Sequence, residues 1–187
     1  AYAGAALYLQ AHGITPVPQE SYDVQTKSNR FFGTLYSKVA GLPGARPEKI
    51  DLPMNLPQGI RIETSGAPAD ALSTNGTHEM PQLSGIYDLS KLDSKDKYAV
   101  YFGGNYGSLT ITNPSAQTDR KLLLFKDSYA NSMAPYLIGS YAQITMIDLR
   151  YYNESVSALT EQGWDEILVC YEMSNFIKDK NLFKILR

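Results

Sequence analysis

The sequence predicts an α/β fold, a three-layer sandwich with a mainly parallel sheet in the C-terminal half and β- and loop-rich insertions in the N-terminal half. Three observations predict it. Residues 97–187 alternate strand-like and helix-like segments, and parallel strands need crossover connections of that kind. The strand-like runs "KLLLF", "AQITMID" and "EILVCYE" are continuously apolar, as expected for strands covered on both faces. Residues 14–96 are poorly periodic and rich in Pro and Gly, which makes them loops with a few strand pairs rather than a second core.

Taken in order, residues 3–12 are alanine-rich and helix-forming, and Gly13 suits the position just past a helix end. Short strands fit Phe31–Tyr36 and Ile60–Glu63. Residues 64–90 are polar and rich in turn formers. "KYAVYF" and "SLTIT" read as two strands joined by "GGNYG", a hairpin or wide turn. "KLLLF" is then a strand, 130–140 a helix, "AQITMID" a strand, 154–162 a helix, "EILVCYE" a strand and 175–185 a helix. Trp164 packs under the sheet edge. The chain reads as one domain over 1–187, with an insertion at 14–96 and the α/β core at 97–187. It opens directly on a helical pattern without Met, and we expect it to be part of something longer.

The composition is that of an ordinary globular domain, 43% hydrophobic and 19% charged. A net charge of -2 without blocks of like charge argues against nucleic acid as the partner. No apolar run approaches the roughly 18–20 residues that span a bilayer, so no transmembrane segment is expected. The one cysteine, Cys170, allows no internal disulfide and reads as a small buried hydrophobe. No Cys/His cluster has metal spacing, so we expect neither a structural zinc nor another cofactor. The 14 tyrosines suit carbohydrate contact and suit a packed sheet equally well. The triplets at Asn75 and Asn153 carry no weight.

Candidate chemistry gathers where the strands end. In open α/β sheets, ligands bind outside the carboxyl ends of the strands. Asp127 and Ser128 end "KLLLFK" there. They are either helix caps or an activated serine with its neighbour beside a helix start, where unpaired N–H groups can stabilise an oxyanion. Asn131, one turn on, can face the same pocket. Asp148, Arg150 and Tyr151 end the next strand; Arg150 either grips a substrate group with its fork or pairs with Asp127 or Asp148. Glu172 and Asn175 end the third strand, and Asn175 either binds substrate or caps the last helix. Polar residues arriving at one edge from three strands mark a candidate site. Gly103, Gly104 and Asn105 follow "KYAVYF" and form either a hairpin turn or part of this site. Of two histidines, His78 in "NGTHEM" is the better candidate base, ahead of His12 at the end of the first helix.

"KDSYANSMAPYL" resembles the first block of the SGNH hydrolase superfamily, in which a strand ends in Gly-Asp-Ser and the Ser is the nucleophile. Lys126 stands where Gly is usual. "KLLLFKDSYANSMAPYL", "ITMIDLRYYN", "FGGNYGSLTI" and "FFGTLYSK" together resemble the bacterial DHHW family, over roughly residues 1–178. That family is similar to the SGNH-like proteins that acetylate exported polysaccharides. The resemblance implies an SGNH/flavodoxin-like fold, Ser128 as nucleophile, the Gly104 N–H and the Asn105 amide as oxyanion donors, an extracytoplasmic bacterial location and a glycan as partner. The Asp-His-His-Trp motif that names the family lies upstream in it and is absent here, as is the Asp-x-x-His near the C-terminus. In related acetylation proteins an upstream Asp and His complete the triad. Two functions follow as expectations: a serine esterase or O-acetyltransferase acting on an acylated carbohydrate, and a glycan-binding or cell-surface module that keeps the fold without catalysis.

Overall fold

The protein is described by a computed structural model over residues 1–33, 44–65 and 85–186. The first helix, α1 (Tyr2–Ala11), ends as its sequence predicts. Gly13 takes φ 71°, its N–H donates to the Gln10 carbonyl, and the Ile14 N–H reaches back to Leu9. This double closure needs a left-handed residue, which glycine supplies without Cβ strain. Ala5 and Leu9 are buried on the inner side of α1. Two strands follow, β1 (Val24–Phe31) and β2 (Glu48–Pro53), paired antiparallel as a separate sheet with two register irregularities. The expected strand at Phe31–Tyr36 thus ends at Phe31, and residues 34–36 lie outside the described residues.

The main sheet has five strands: β3 (Arg61–Ser65), β4 (Ser108–Thr112), β5 (Thr118–Lys126), β6 (Tyr141–Ile147) and β7 (Glu166–Cys170). Their spatial order is β3-β4-β6-β5-β7. β5 runs parallel to β6 and to β7, but β4 is antiparallel to β6 and β3 antiparallel to β4. The expectation of a three-layer sandwich on a mainly parallel sheet is therefore wrong. The fold is sheet-rich, with mixed sheets and three short α-helices among the described residues: α1, α2 (Val156–Thr160) and α3 (Met173–Lys178).

The causes are local. "KYAV" (97–100) forms a 3₁₀ helix instead of a strand, and only Tyr101 bridges to Tyr87. A short apolar run cannot by itself distinguish a strand from a buried helical turn. β4 buries alternate residues, Leu109 and Ile111, and pairs antiparallel with both neighbours. Residues 130–140, expected as a helix, form 3₁₀ turns at Ser128–Ser132 and Ala134–Tyr136, with Pro135 opening the second. β7 is an edge strand, so its apolar run is not covered on both sides: Ile167 is 51% exposed and Val169 41%.

β5 holds the core together because alternate side chains enter two clusters. Leu122 and Leu124 join α1, Ala130, Ala134, Leu137 and Ile138. Leu123 and Phe125 join Leu149, Tyr152, Val156 and Leu159, with Trp164 against them, its Nε1 donating to the Leu159 carbonyl at 2.7 Å. Cys170 is half-buried against the first cluster.

At the opposite end of β5 from Ser128, Glu166 ties three elements. Its carboxylate accepts from Tyr8 of α1 at 2.8 Å, from Tyr141 of β6 at 2.6 Å and from Arg120 of β5 at 3.0 Å. Burial by itself would raise its pKa, but the hydrogen bonds from Tyr141, Tyr8 and Arg120 outweigh it and hold the carboxyl below its ordinary value of 4.5. A depressed carboxyl contributes stability above its unfolded pKa and loses it as pH falls through the folded value. Glu166→Gln is expected to cost about 1–3 kcal/mol at neutral pH. Urea melts should show the wild-type advantage shrinking as pH drops below the ordinary glutamate range; an advantage independent of pH would contradict this account.

Candidate functional site

The site lies at the carboxyl ends of β5, β6 and β7. β5 delivers Lys126, Asp127 and Ser128 in sequence. Asp127 is 2% exposed and its carboxylate is fully engaged. Oδ1 accepts from the Tyr129 N–H at 2.9 Å, which caps the 3₁₀ helix. Oδ2 accepts from the Glu172 N–H at 3.0 Å and from Asn175 Nδ2 at 2.7 Å. Asp127 is thus a cap, as the bland reading has it, and also a clamp that binds the end of β7 and the start of α3 to β5. Glu172, and not Asn175, caps α3: its side chain accepts from the Asn175 N–H at 3.0 Å and from the Ser174 hydroxyl.

From β6 comes Asp148, fully buried and gripped by Arg150 through Nε at 2.8 Å and Nη2 at 2.6 Å. Such a bidentate fork is the strongest geometry an arginine offers a carboxylate. Of the alternatives for Arg150, its guanidinium takes Asp148, and it also lies 5.2 Å from the centre of the Tyr151 ring. Gly107 makes this turn possible. Its carbonyl accepts from the Asp148 N–H at 3.1 Å, and a Cβ there would sit 2.6 Å from the Tyr151 carbonyl oxygen.

Lys126 is 3% exposed. Its Nζ donates to Asn105 Oδ1 at 2.9 Å and lies 3.8 Å from Asp148 Oδ2. Burial lowers its pKa to about 8, more than the attraction of Asp148 restores. The same Asn105 oxygen accepts from Asn131 Nδ2 at 3.2 Å, and Asn131 Oδ1 is buried without a partner. Asn105 follows a strained run, Phe102 at φ 61°, Gly103 at 75° and Gly104 at 144°. A phenylalanine in the left-handed region is uncommon, and such strain gathers where function requires a fixed shape. The Gly104 N–H donates to the Tyr101 carbonyl at 3.3 Å.

Ser128 opens the 3₁₀ helix and is partly exposed. Among the described residues no hydrogen bond holds its Oγ. A 3₁₀ helix has three residues per turn, so Ser128 and Asn131 stand over one another on one side of it. Asn131 touches Asn105, which touches Lys126, so these four residues share a corner. Asp148, Arg150 and Tyr151 adjoin it through the Lys126–Asp148 contact, and Glu172 and Asn175 through Asp127. His12 does not reach the corner: its Nδ1 lies 2.9 Å from the Tyr8 carbonyl and its own carbonyl accepts from Arg120, near the start of β5. His78 lies outside the described residues. Among the described residues no cluster of His, Cys, Asp and Glu is arranged to hold a metal ion, and no helix is long and apolar enough to cross a membrane. The sequence reading gave Lys126 no chemical part beyond its replacement of a glycine, and its burial signals one: a lysine ending a run of buried apolar residues has to find partners.

Two outcomes follow. Gly107→Ala drives a Cβ into the Tyr151 backbone and should destabilise the fold by more than about 2 kcal/mol, measured by chemical denaturation. Lys126→Met removes a buried charge while Asp148 keeps its Arg150 fork, so the melting temperature should hold or rise. Because the folded pKa of Lys126 is lowered, the unfolded chain binds more protons between about 8 and 10.5. The stability of the wild type relative to the Met variant should therefore rise with pH across that window, and a flat difference would show that Lys126 is not desolvated.

Comparison with known proteins finds similarities of sequence and of fold. Residues 68–147 match the family model described as DHHW protein. The structure is similar to that of a DHHW family protein from Eubacterium siraeum DSM 15702, with a TM-score of 0.75 and 20% identity over 99% of this chain and 58% of that one. It is also similar to Bacillus cereus PatB1 with a sulfonyl adduct, with a TM-score of 0.61 and 21% identity over 93% of this chain and 56% of that one. A second PatB1 structure gives a TM-score of 0.57 and 24% identity over 85% of this chain and 51% of that one. The chain thus spans little more than half the length of these solved proteins, and at such identities the likeness is one of fold. Among curated proteins, none matches the sequence. The family model and the Eubacterium siraeum structure carry the same description, and the DHHW family is the one the comparisons support for this chain.

Proposed function

We propose that this chain is an SGNH-like acyl-transfer domain, a serine esterase or O-acetyltransferase acting on acyl groups of an extracytoplasmic bacterial glycan, with Ser128 as nucleophile. The observation that carries the reading is the contrast at the end of β5. Asp127 and Lys126 are buried and bonded, whereas the Oγ of the partly exposed Ser128 has no hydrogen bond among the described residues. A serine needed only as a cap would have its oxygen on a backbone N–H, and here Asp127 already performs that task.

The chemistry is a two-step exchange. Ser128 Oγ attacks the ester carbonyl carbon, and the bond to the sugar oxygen breaks. The acyl group then passes from Ser128 to water or to an acceptor hydroxyl. The Asn105 amide donates to the oxyanion. The serine proton passes to a histidine, that of the upstream Asp-His pair the family resemblance implies or His78, and from it to the departing sugar oxygen. The adduct on PatB1 supports this reading, since a sulfonyl group becomes attached where a nucleophile attacks a sulfonyl reagent.

Intact-mass labelling with a fluorophosphonate tests it on this chain, on Ser128→Ala, and on a version extended upstream. The expected result is one added label on the wild-type or extended protein and none on Ser128→Ala. Equal labelling of Ser128→Ala, or no labelling even with the upstream segment, overturns the proposal.

A further inference from the structure

We propose that Lys126 is a positioning residue that sets the polarity of two side-chain amides beside Ser128, leaving Asn105 Nδ2 as donor and Asn131 Oδ1 as acceptor for a bound acyl ester. This rests on the reading of Ser128 as nucleophile and extends it to the residues that would receive the substrate.

The two ends of an asparagine amide have nearly the same shape, so packing alone does not decide which way it faces. A neighbour of fixed polarity decides it. A lysine ammonium only donates. Lys126 Nζ lies 2.9 Å from Asn105, which must therefore present its oxygen. That oxygen also faces Asn131 at 3.2 Å, which must present its nitrogen. The consequence is a directed chain: lysine donates to Asn105, and Asn131 donates to the same oxygen. At the far ends, Asn105 Nδ2 makes no hydrogen bond among the described residues, and Asn131 Oδ1 is a buried acceptor without a partner.

Two facts argue that Lys126 is present for this purpose. Asp148 does not need it, because Arg150 already holds both carboxylate oxygens at 2.8 and 2.6 Å while Lys126 stands 3.8 Å away. And a lysine nearly excluded from water opposes folding, where a methionine of similar length would not. What the methionine lacks is the donor. The orphaned Asn131 oxygen is a further cost in the free protein, and it is recovered when a hydroxyl or N–H of the ligand reaches it. The corner thus offers one donor to an ester carbonyl and one acceptor to a neighbouring donor of the same substrate.

Side-chain amide NMR of the ¹⁵N-labelled chain reads the arrangement without any need for turnover. In the wild type the Asn131 Nδ2 protons should exchange slowly with water and those of Asn105 fast; the reverse overturns the proposal. In Lys126→Met the Asn131 protons should exchange roughly fivefold faster or more, the equivalent of one lost hydrogen bond. Lys126→Arg keeps a side chain that can only donate and should retain the protection. Unchanged exchange in Lys126→Met, or equal loss in both variants, shows that orientation does not pass through the lysine donor. Thermal melts confirm that both variants are folded. The fluorophosphonate rate is the second readout: Lys126→Met should slow labelling of Ser128 about tenfold, in line with a displaced oxyanion donor, and Lys126→Arg should restore it. If Ser128 of the wild type proves unreactive, the function assigned to it falls, while amide exchange still decides the role of Lys126.

Discussion

The burial of the second half of β5 is the constraint on which the rest depends. Leu122 to Phe125 are inaccessible, hydrogen-bonded to β6 on one edge and to β7 on the other, with alternate side chains in two different core clusters. A strand so enclosed cannot slip by one residue without exchanging its two faces. It therefore delivers residues 126–128 to a fixed place. Because the enclosure continues past the apolar run, Lys126 and Asp127 arrive buried as well, and each must be satisfied by groups from other elements. Asn105 and Asp148 come to Lys126, while Tyr129, Glu172 and Asn175 come to Asp127. The site is assembled by the need to solvate two buried charges.

The charges balance in a particular order. Asp148 and Arg150 form a bidentate pair that occupies both oxygens of the carboxylate. Asp127 spends its carboxylate on three donors and holds α3 in place. Lys126 is left with an amide as its main partner and a distant carboxylate, which is why burial prevails in setting its pKa. Among the described residues, Ser128 Oγ, the Asn105 nitrogen and the Asn131 oxygen have no hydrogen-bond partner. They are a nucleophile, a donor and an acceptor, the set an acyl exchange needs.

Much of this was legible in the sequence, for reasons that differ by residue. The end of α1 at Gly13, the strands β5 to β7 and a helix within 154–162 follow from local rules: a C-terminal glycine, apolar runs and a helical pattern. The convergence of Asp127, Asp148 and Glu172 on one edge follows from β5, β6 and β7 being mutually parallel, and that part of the prediction needs only the crossover rule. Strand direction beyond these three was not legible. "SLTIT" alternates in a way that suits either hand of pairing, and its antiparallel partners, β3 and β6, are distant in sequence. The strand expected at "KYAVYF" failed because so short an apolar run carries no period. Lys126 was visible as an oddity, a cation where a glycine is usual, but its meaning depends on Asn105, 21 residues earlier and reached only by folding.

The segment after Ser128 shows how a local misreading matters. An α-helix from 130 to 140 would advance 100° per residue and leave Asn131 about 60° away from Ser128 around the axis. The chain instead takes 3₁₀ turns, which bring residues three apart into line. Asp127 starts the first turn by accepting from the Tyr129 N–H, and Pro135, whose ring clashes with the carbonyl four residues before it, prevents a regular α-helix from running on through 131. The result puts Asn131 directly over the candidate nucleophile and within reach of Asn105. The element that sequence periodicity misassigned is therefore the one whose tighter winding aligns Ser128 with the amide chain, and a proline-free variant that relaxed to α-helix would keep the serine and lose that alignment.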